Sequence, residues 1–312
     1  MSFIERALEQ MRQETAAAST ERSEPGIRPV QQPTERRAET PQRVVSAETI
    51  RPMPSRSDRT VRIDLSALRA AGVIAPENEE RRLAEEYRII KRPLLNAMTV
   101  EGALNLSNIV VVTSAVPGEG KTFTSINLAL SLALERNREV VLIDGDVAKR
   151  HITHLFGLDE EAGFLDVGGA SARDFDEVIL KTDYPSLYVL PAGNPDVEAT
   201  EILASERTSS MLAALASEPR RIVLIDSPPL LVTSEAGVLT SLAGQVVLVV
   251  RASETPQDIV VRAVESIADD KPISLLLNQV LAVPERGYGY YGGYGDYGKK
   301  AGGSPVGESP GQ

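Results

Sequence analysis

The sequence predicts an α/β protein built on a doubly wound, mostly parallel sheet. Short apolar runs rich in β-branched residues recur at 109–112, 140–143, 186–190, 222–225, 246–250 and 273–277, which is how strands buried on both faces read. Segments of helical period lie between most of them, as right-handed βαβ crossovers require. The run at 109–112 passes through a glycine-containing turn directly into a helical pattern, and in such sheets ligands bind at the C-terminal ends of the strands.

That turn reads Ala115-Val116-Pro117-Gly118-Glu119-Gly120-Lys121-Thr122-Phe123. It is a phosphate loop in which Ala115 stands where the first glycine of G-x-x-x-x-G-K-[ST] usually sits; alanine is small enough to leave the turn intact. Backbone N–H groups of the loop and of the open first helical turn converge on a polyphosphate, and the helix dipole favours negative charge there. Lys121 pairs with the β- and γ-phosphates in this pattern and the Thr122 hydroxyl ligates Mg²⁺. The expected ligands are a nucleoside triphosphate and Mg²⁺, held by Ala115, Pro117, Gly118, Glu119, Gly120, Lys121, Thr122 and Phe123.

Composition excludes several alternatives. The 312 residues suffice for one sizeable domain with extra segments. A net charge of −11 argues against nucleic acid as a partner, because counterion release needs a basic face. The acidity is uneven: residues 1–60 carry 10 Arg and Lys against 9 Asp and Glu, leaving 23 against 35 for the rest. With no cysteine there is no disulfide framework, thiolate metal site or cysteine nucleophile. No run reaches the ~18–20 apolar residues of a membrane span and the N-terminus lacks a secretory apolar core, so a cytoplasmic protein is expected, peripheral at a membrane only through a partner.

Taken in order, Phe3, Ile4, Ala7, Leu8 and Met11 predict a short amphipathic helix over residues 2–14. From residue 16 to 60 the chain is rich in Pro, Ser, Thr, Glu and Arg and reads as a disordered linker. A short helix ending at Gly72 follows, then a charged helix over 77–95. Glu85, Arg88 and Lys91 recur there at three-residue intervals, the spacing of neighbouring turns, and fit either a salt-bridged solvent face or an oligomer contact. The expected organisation is a helix and linker over 1–60, a helical oligomerisation segment over 61–100, the catalytic domain over 101–284 and a flexible tail over 285–312.

Two strand ends carry acids. The run at 140–143 is followed by Asp144-Gly145-Asp146, and the run at 222–225 by Asp226-Ser227-Pro228-Pro229. Carboxylates there face the nucleotide: of Asp144 and Asp146 one can hold Mg²⁺ or its waters and the other can take a proton from an incoming hydroxyl, while Asp226 can ligate the metal directly or through water. Asn278, at the end of the last run, can bond the adenine edge or belong to a surface turn. His151 and His154, without cysteine or further histidine, read as surface or capping residues.

After Arg286 the chain reads Gly-Tyr-Gly-Tyr-Tyr-Gly-Gly-Tyr-Gly-Asp-Tyr-Gly, with five of the eight tyrosines: Tyr288, Tyr290, Tyr291, Tyr294 and Tyr297. Glycine on nearly every side disfavours a packed element, so these phenols are expected to be exposed and mobile. The combination resembles the bacterial tyrosine kinases, P-loop autokinases of polysaccharide synthesis with a deviant-Walker (MinD/ParA-like) fold. Their Walker A motif matches Ala115 to Thr122, their A′ motif residues 141–146, their Walker B residues 225–229, and their tyrosine cluster Tyr288 to Tyr297. The segment from Glu85 to Leu95 and the start Met-Ser-Phe-Ile-Glu-Arg-Ala-Leu are similar to the exosortase-associated autokinases of exopolysaccharide clusters.

The resemblance implies that the nucleotide is ATP. It also implies ATP-dependent phosphorylation of tail tyrosines between neighbouring copies, a homo-oligomeric ring formed through Glu85, Arg88 and Lys91, and a separate membrane-bound chain-length regulator as activator. Two positions depart from the family. Ala148 stands where its A′ motif carries arginine, with Lys149 and Arg150 alongside, and Lys91 replaces the last arginine of its ring motif, without the fork-shaped guanidinium. The alternative is a deviant-Walker partitioning ATPase. Those generally carry a second lysine early in the loop, where this chain has Val116, and they give the tyrosine tail no purpose.

Overall fold

The computed structural model describes residues 60–99, 106–168 and 173–280. The expected N-terminal helix, almost all of the linker and the tyrosine tail lie outside the described residues. The described elements are β1 (Thr60–Val61), α1 (Leu65–Ala70), α2 (Glu80–Thr99), β2 (Ile109–Ser114), α3 (Lys121–Ala133), β3 (Glu139–Asp144), α4 (His151–Leu155), α5 (Phe164–Gly168) and α6 (Phe175–Val178). They continue with β4 (Leu180–Thr182), β5 (Leu187–Leu190), α7 (Ala199–Leu203), α8 (Glu206–Ala216), β6 (Arg221–Asp226), α9 (Ser234–Leu242), β7 (Gln245–Arg251), α10 (Gln257–Glu265) and β8 (Ile273–Asn278).

The eight strands form one sheet in the order β1-β4-β5-β3-β6-β2-β7-β8. Neighbours run parallel except β4 and β5, which are antiparallel. β2 shows why its sequence is uninterruptedly apolar. All six of its residues are buried, Ile109 and Val111 in the core on one face and Val110 and Val112 in the core on the other. Each such side chain contributes about 1.5–3 kcal/mol of burial, an upper estimate against an extended unfolded chain.

The doubly wound sheet matches the expected class, and every apolar run became a strand. Three features differ in detail. β1 and β4, two and three residues long, are added at one edge, with Ile63 N–H donating to Asp183 Oδ1 at 2.9 Å to close the corner. α2 continues through Pro93 to Thr99, because Leu94 is buried in the core shared with α3. Residues 60–99 are continuous with the rest, β1 in the sheet and α2 packed on α3. Among the described residues no helix is long and apolar enough to cross a membrane.

Candidate active site

The loop from Ala115 to Gly120 connects β2, in the interior of the sheet, to α3, which begins at Lys121. Left-handed backbone falls on Gly118 (φ 87°) and Gly120 (φ 92°), the two positions where glycine avoids the Cβ clash. Ala115 is not among the residues with positive φ and is fully buried, so alanine is tolerated where the usual motif has glycine. Gly120 also admits a close neighbour: a Cβ there would lie 2.0 Å from Asn278 Nδ2.

The strand-end acids converge on this loop. Lys121 Nζ lies 3.1 Å from Asp146 Oδ2, and both side chains are almost fully buried. Thr122 Oγ1 donates to Asp226 Oδ2 and Ser125 Oγ to Asp226 Oδ1, each at 2.8 Å. Burial raises the Asp226 pKa to about 7; the charge of Asp144 adds to the rise, while Lys121 and the two hydroxyls oppose it. Asp144, equally buried, accepts from Thr153 N–H at 2.8 Å and from Thr153 Oγ1 at 2.7 Å through Oδ2. Burial raises its pKa too, against those two hydrogen bonds. Its Oδ1 is buried with no hydrogen-bond partner among the described residues.

Asp144, Asp146 and Asp226 are thus brought together with Lys121 and Thr122. Asn278 reaches the loop itself, donating from Nδ2 to the Glu119 carbonyl at 2.9 Å. The three α2 residues separate. Arg88 pairs with Glu85 at 2.8 Å at the surface, whereas Lys91 turns inward onto α3, donating to Ser131 O at 2.7 Å and pairing with Glu135 at 2.8 Å. The flexible stem of lysine lets its charge reach the C-terminal part of α3, so the three do not share one outward face. His154 pairs with Asp159 at the surface. Ser125 and Thr153 were not singled out by motif. Ser125 follows Thr122 by one helical turn, a spacing that could have revealed it, whereas nothing local marks Thr153.

The residues fit a magnesium nucleotide. The donors are hard oxygens from Thr122, Asp146 and Asp226, and one orphaned carboxylate oxygen waits beside them. No group of three His, Asp or Glu side chains among the described residues forms a ready-made metal cage. Mg²⁺ keeps several waters and binds through one or two carboxylates plus substrate phosphates.

Residues 107–268 match the family model described as AAA domain. The chain is 34% identical over 167 residues to the putative tyrosine-protein kinase EpsB of Ralstonia solanacearum, covering 54% of this chain and 21% of EpsB. It therefore spans only about a fifth of that relative. To the tyrosine-protein kinase CpsD of Streptococcus agalactiae it is 30% identical over 196 residues, covering 62% of this chain and 83% of CpsD. The crystal structure of the VpsO kinase domain superimposes with a TM-score of 0.54 at 27% identity, covering 66% of this chain and all of that one. A phosphate loop on β2, acids closing β3 and β6, and relatives of this kind lead to one assignment: the chain belongs to the bacterial tyrosine-protein kinases, within the AAA-domain family.

Proposed function

We propose that the chain is an ATP-dependent protein-tyrosine autokinase of the exosortase-associated type, acting on the tail tyrosines of a neighbouring copy and serving exopolysaccharide synthesis. The observation that carries this reading is the convergence of Lys121, Thr122, Asp146 and Asp226 within 2.8–3.1 Å contacts at the ends of two adjacent parallel strands. Lys121 and the loop N–H groups hold the β- and γ-phosphates, releasing Asp146 from its ion pair when they do so. Thr122, Asp146 and Asp226 hold Mg²⁺ and its waters. When bound there, the ion would supply positive charge to offset the charge that develops on the transferring phosphoryl group.

Asp144 receives the phenol proton. The phenol oxygen bonds to the γ-phosphorus, the β–γ bridging bond breaks with ADP as leaving group, and the proton passes to Asp144 Oδ1. The raised pKa of Asp144 suits a proton acceptor, and Thr153 fixes its orientation. The acceptors are Tyr288, Tyr290, Tyr291, Tyr294 and Tyr297, carried on residues 285–312. Residues 61–100 provide the oligomer contact through Glu85 and Arg88, and a membrane-bound chain-length partner recruits the kinase to the inner membrane.

The test mixes two full-length variants with Mg-ATP, alone and with the cytosolic segment of the partner: Lys121→Met, an acceptor without phosphate grip, and an enzyme with all five tail tyrosines changed to phenylalanine. Phosphotyrosine on the Lys121→Met tail supports transfer between copies. Absence of phosphotyrosine from both this mixture and the wild type rejects the reading.

A further inference from the structure

Glu119 is an anion inside a loop expected to bind anions, yet it is only 1% exposed. One carboxylate oxygen accepts from Val116 N–H at 2.8 Å, across the loop. The other accepts from Thr255 Oγ1 at 2.5 Å, in the turn between β7 and α10, and from Arg251 N–H at 3.4 Å, at the end of β7. Two amide side chains at the end of β8 grip the same loop from its backbone. Asn278 Nδ2 donates to Glu119 O at 2.9 Å, and Gln279 Nε2 donates to Gly118 O at 3.2 Å. Ala252 N–H donates to Asn278 O at 2.9 Å, so the two gripping segments are tied to each other.

A planar trans peptide points the C=O of one residue and the N–H of the next in opposite directions. Drawing the Gly118 and Glu119 carbonyls toward β8 therefore turns the Glu119 and Gly120 N–H groups away from it. We propose that Glu119, Thr255, Asn278 and Gln279 form a clasp, reaching from the C-terminal ends of β7 and β8, that sets the phosphate loop with its amides inward before nucleotide arrives. Asn278 is then a positioning residue that acts through the loop and not a reader of the base. The inference rests on the nucleotide reading above, and it explains why the loop carries a buried carboxylate: Glu119 satisfies loop and turn donors on the side away from the phosphates.

The experiment uses the full-length chain with Thr255→Val, Thr255→Ser and Asn278→Ala. Two quantities are measured: the Kd for MgATP by calorimetry, and amide hydrogen exchange across residues 115–123 without nucleotide. Losing one net hydrogen bond corresponds to a change of about fivefold. The expected result is MgATP bound about fivefold more weakly by Thr255→Val and Asn278→Ala, with faster exchange of the nucleotide-free loop in both. Thr255→Ser keeps the hydroxyl and retains wild-type behaviour, and in Thr255→Val and Asn278→Ala phosphotransfer at saturating MgATP keeps its kcat while KM rises. Loop exchange unchanged in both variants overturns the clasp. Weaker MgATP binding by Asn278→Ala with unchanged exchange makes Asn278 a base contact and overturns it equally. A wild-type chain that fails to bind MgATP would instead sink the nucleotide reading, while the exchange measurement still reports on the clasp.

Discussion

Asp144 and Asp226 are register partners across β3 and β6, so two fully buried carboxyl groups stand side by side at the ends of neighbouring parallel strands. Burial first, then the charge of Asp144, lifts Asp226 to about 7. A carboxyl raised above its unfolded value keeps a proton in the folded state that the unfolded chain has lost, so stability falls as pH rises from about 4 to about 7 and levels beyond. Asp226→Asn removes this contribution. Chemical denaturation of the nucleotide-free protein should therefore show the wild type losing stability relative to the variant across that window. Identical slopes in the two proteins would contradict the assignment.

Lys121→Met leaves Asp146 buried with no counter-charge. Removing one partner of such a pair costs about 3 kcal/mol, so the variant should unfold at lower denaturant as well as lose phosphotransfer. Lys121→Met combined with Asp146→Asn should recover most of the stability and none of the activity. Denaturant midpoints for the single and double variants read this directly.

Gly120→Ala places a methyl group on a residue with φ of 92° and 2.0 Å from Asn278 Nδ2. Calorimetry should show MgATP bound about five- to thirtyfold more weakly, since strain of about 1–2 kcal/mol falls on the loop. Gly237→Ala, inside α9 with nothing within 4 Å of the added Cβ, is the contrasting substitution. It should stabilise by about 0.5–1 kcal/mol and leave nucleotide affinity unchanged.

Lys91 and Arg88 differ in what they touch, and their variants should separate stability from assembly. Lys91→Met removes the contacts to Ser131 O and Glu135, lowering stability by about 1 kcal/mol with the sedimentation profile unchanged. Arg88→Ala, at an exposed pair, should leave the melting temperature in place and shift sedimentation to smaller species. Matching sedimentation for Arg88→Ala and the wild type would remove Arg88 from the oligomer contact.

The interior strands could be read because parallel strands buried on both faces leave long apolar runs, as in β2, β3, β6 and β7. β1 and β4 could not: two or three residues give no period, β4 carries Lys181 at its centre, and the pairing of Thr60 with Lys181 is set by distant chain. The helix expected over 77–95 runs on to Thr99, where burial of Leu94 in the core, a contact chosen by folding, supports its last turns. Motif spacing placed Lys121, Thr122, Asp146 and Asp226 at one site. It said nothing of Thr153 behind Asp144 or Thr255 behind Glu119, because those partners are chosen by folding and not by local pattern.

β1 and β8 form opposite edges of the sheet. Seven interstrand gaps of about 4.8 Å put those edges roughly 34 Å apart. The described chain starts on the first edge at Thr60 and passes its last strand residue, Asn278, on the second, directly against the phosphate loop. The support that β8 gives the phosphate loop therefore comes from the edge of the sheet opposite the strand with which the described residues begin.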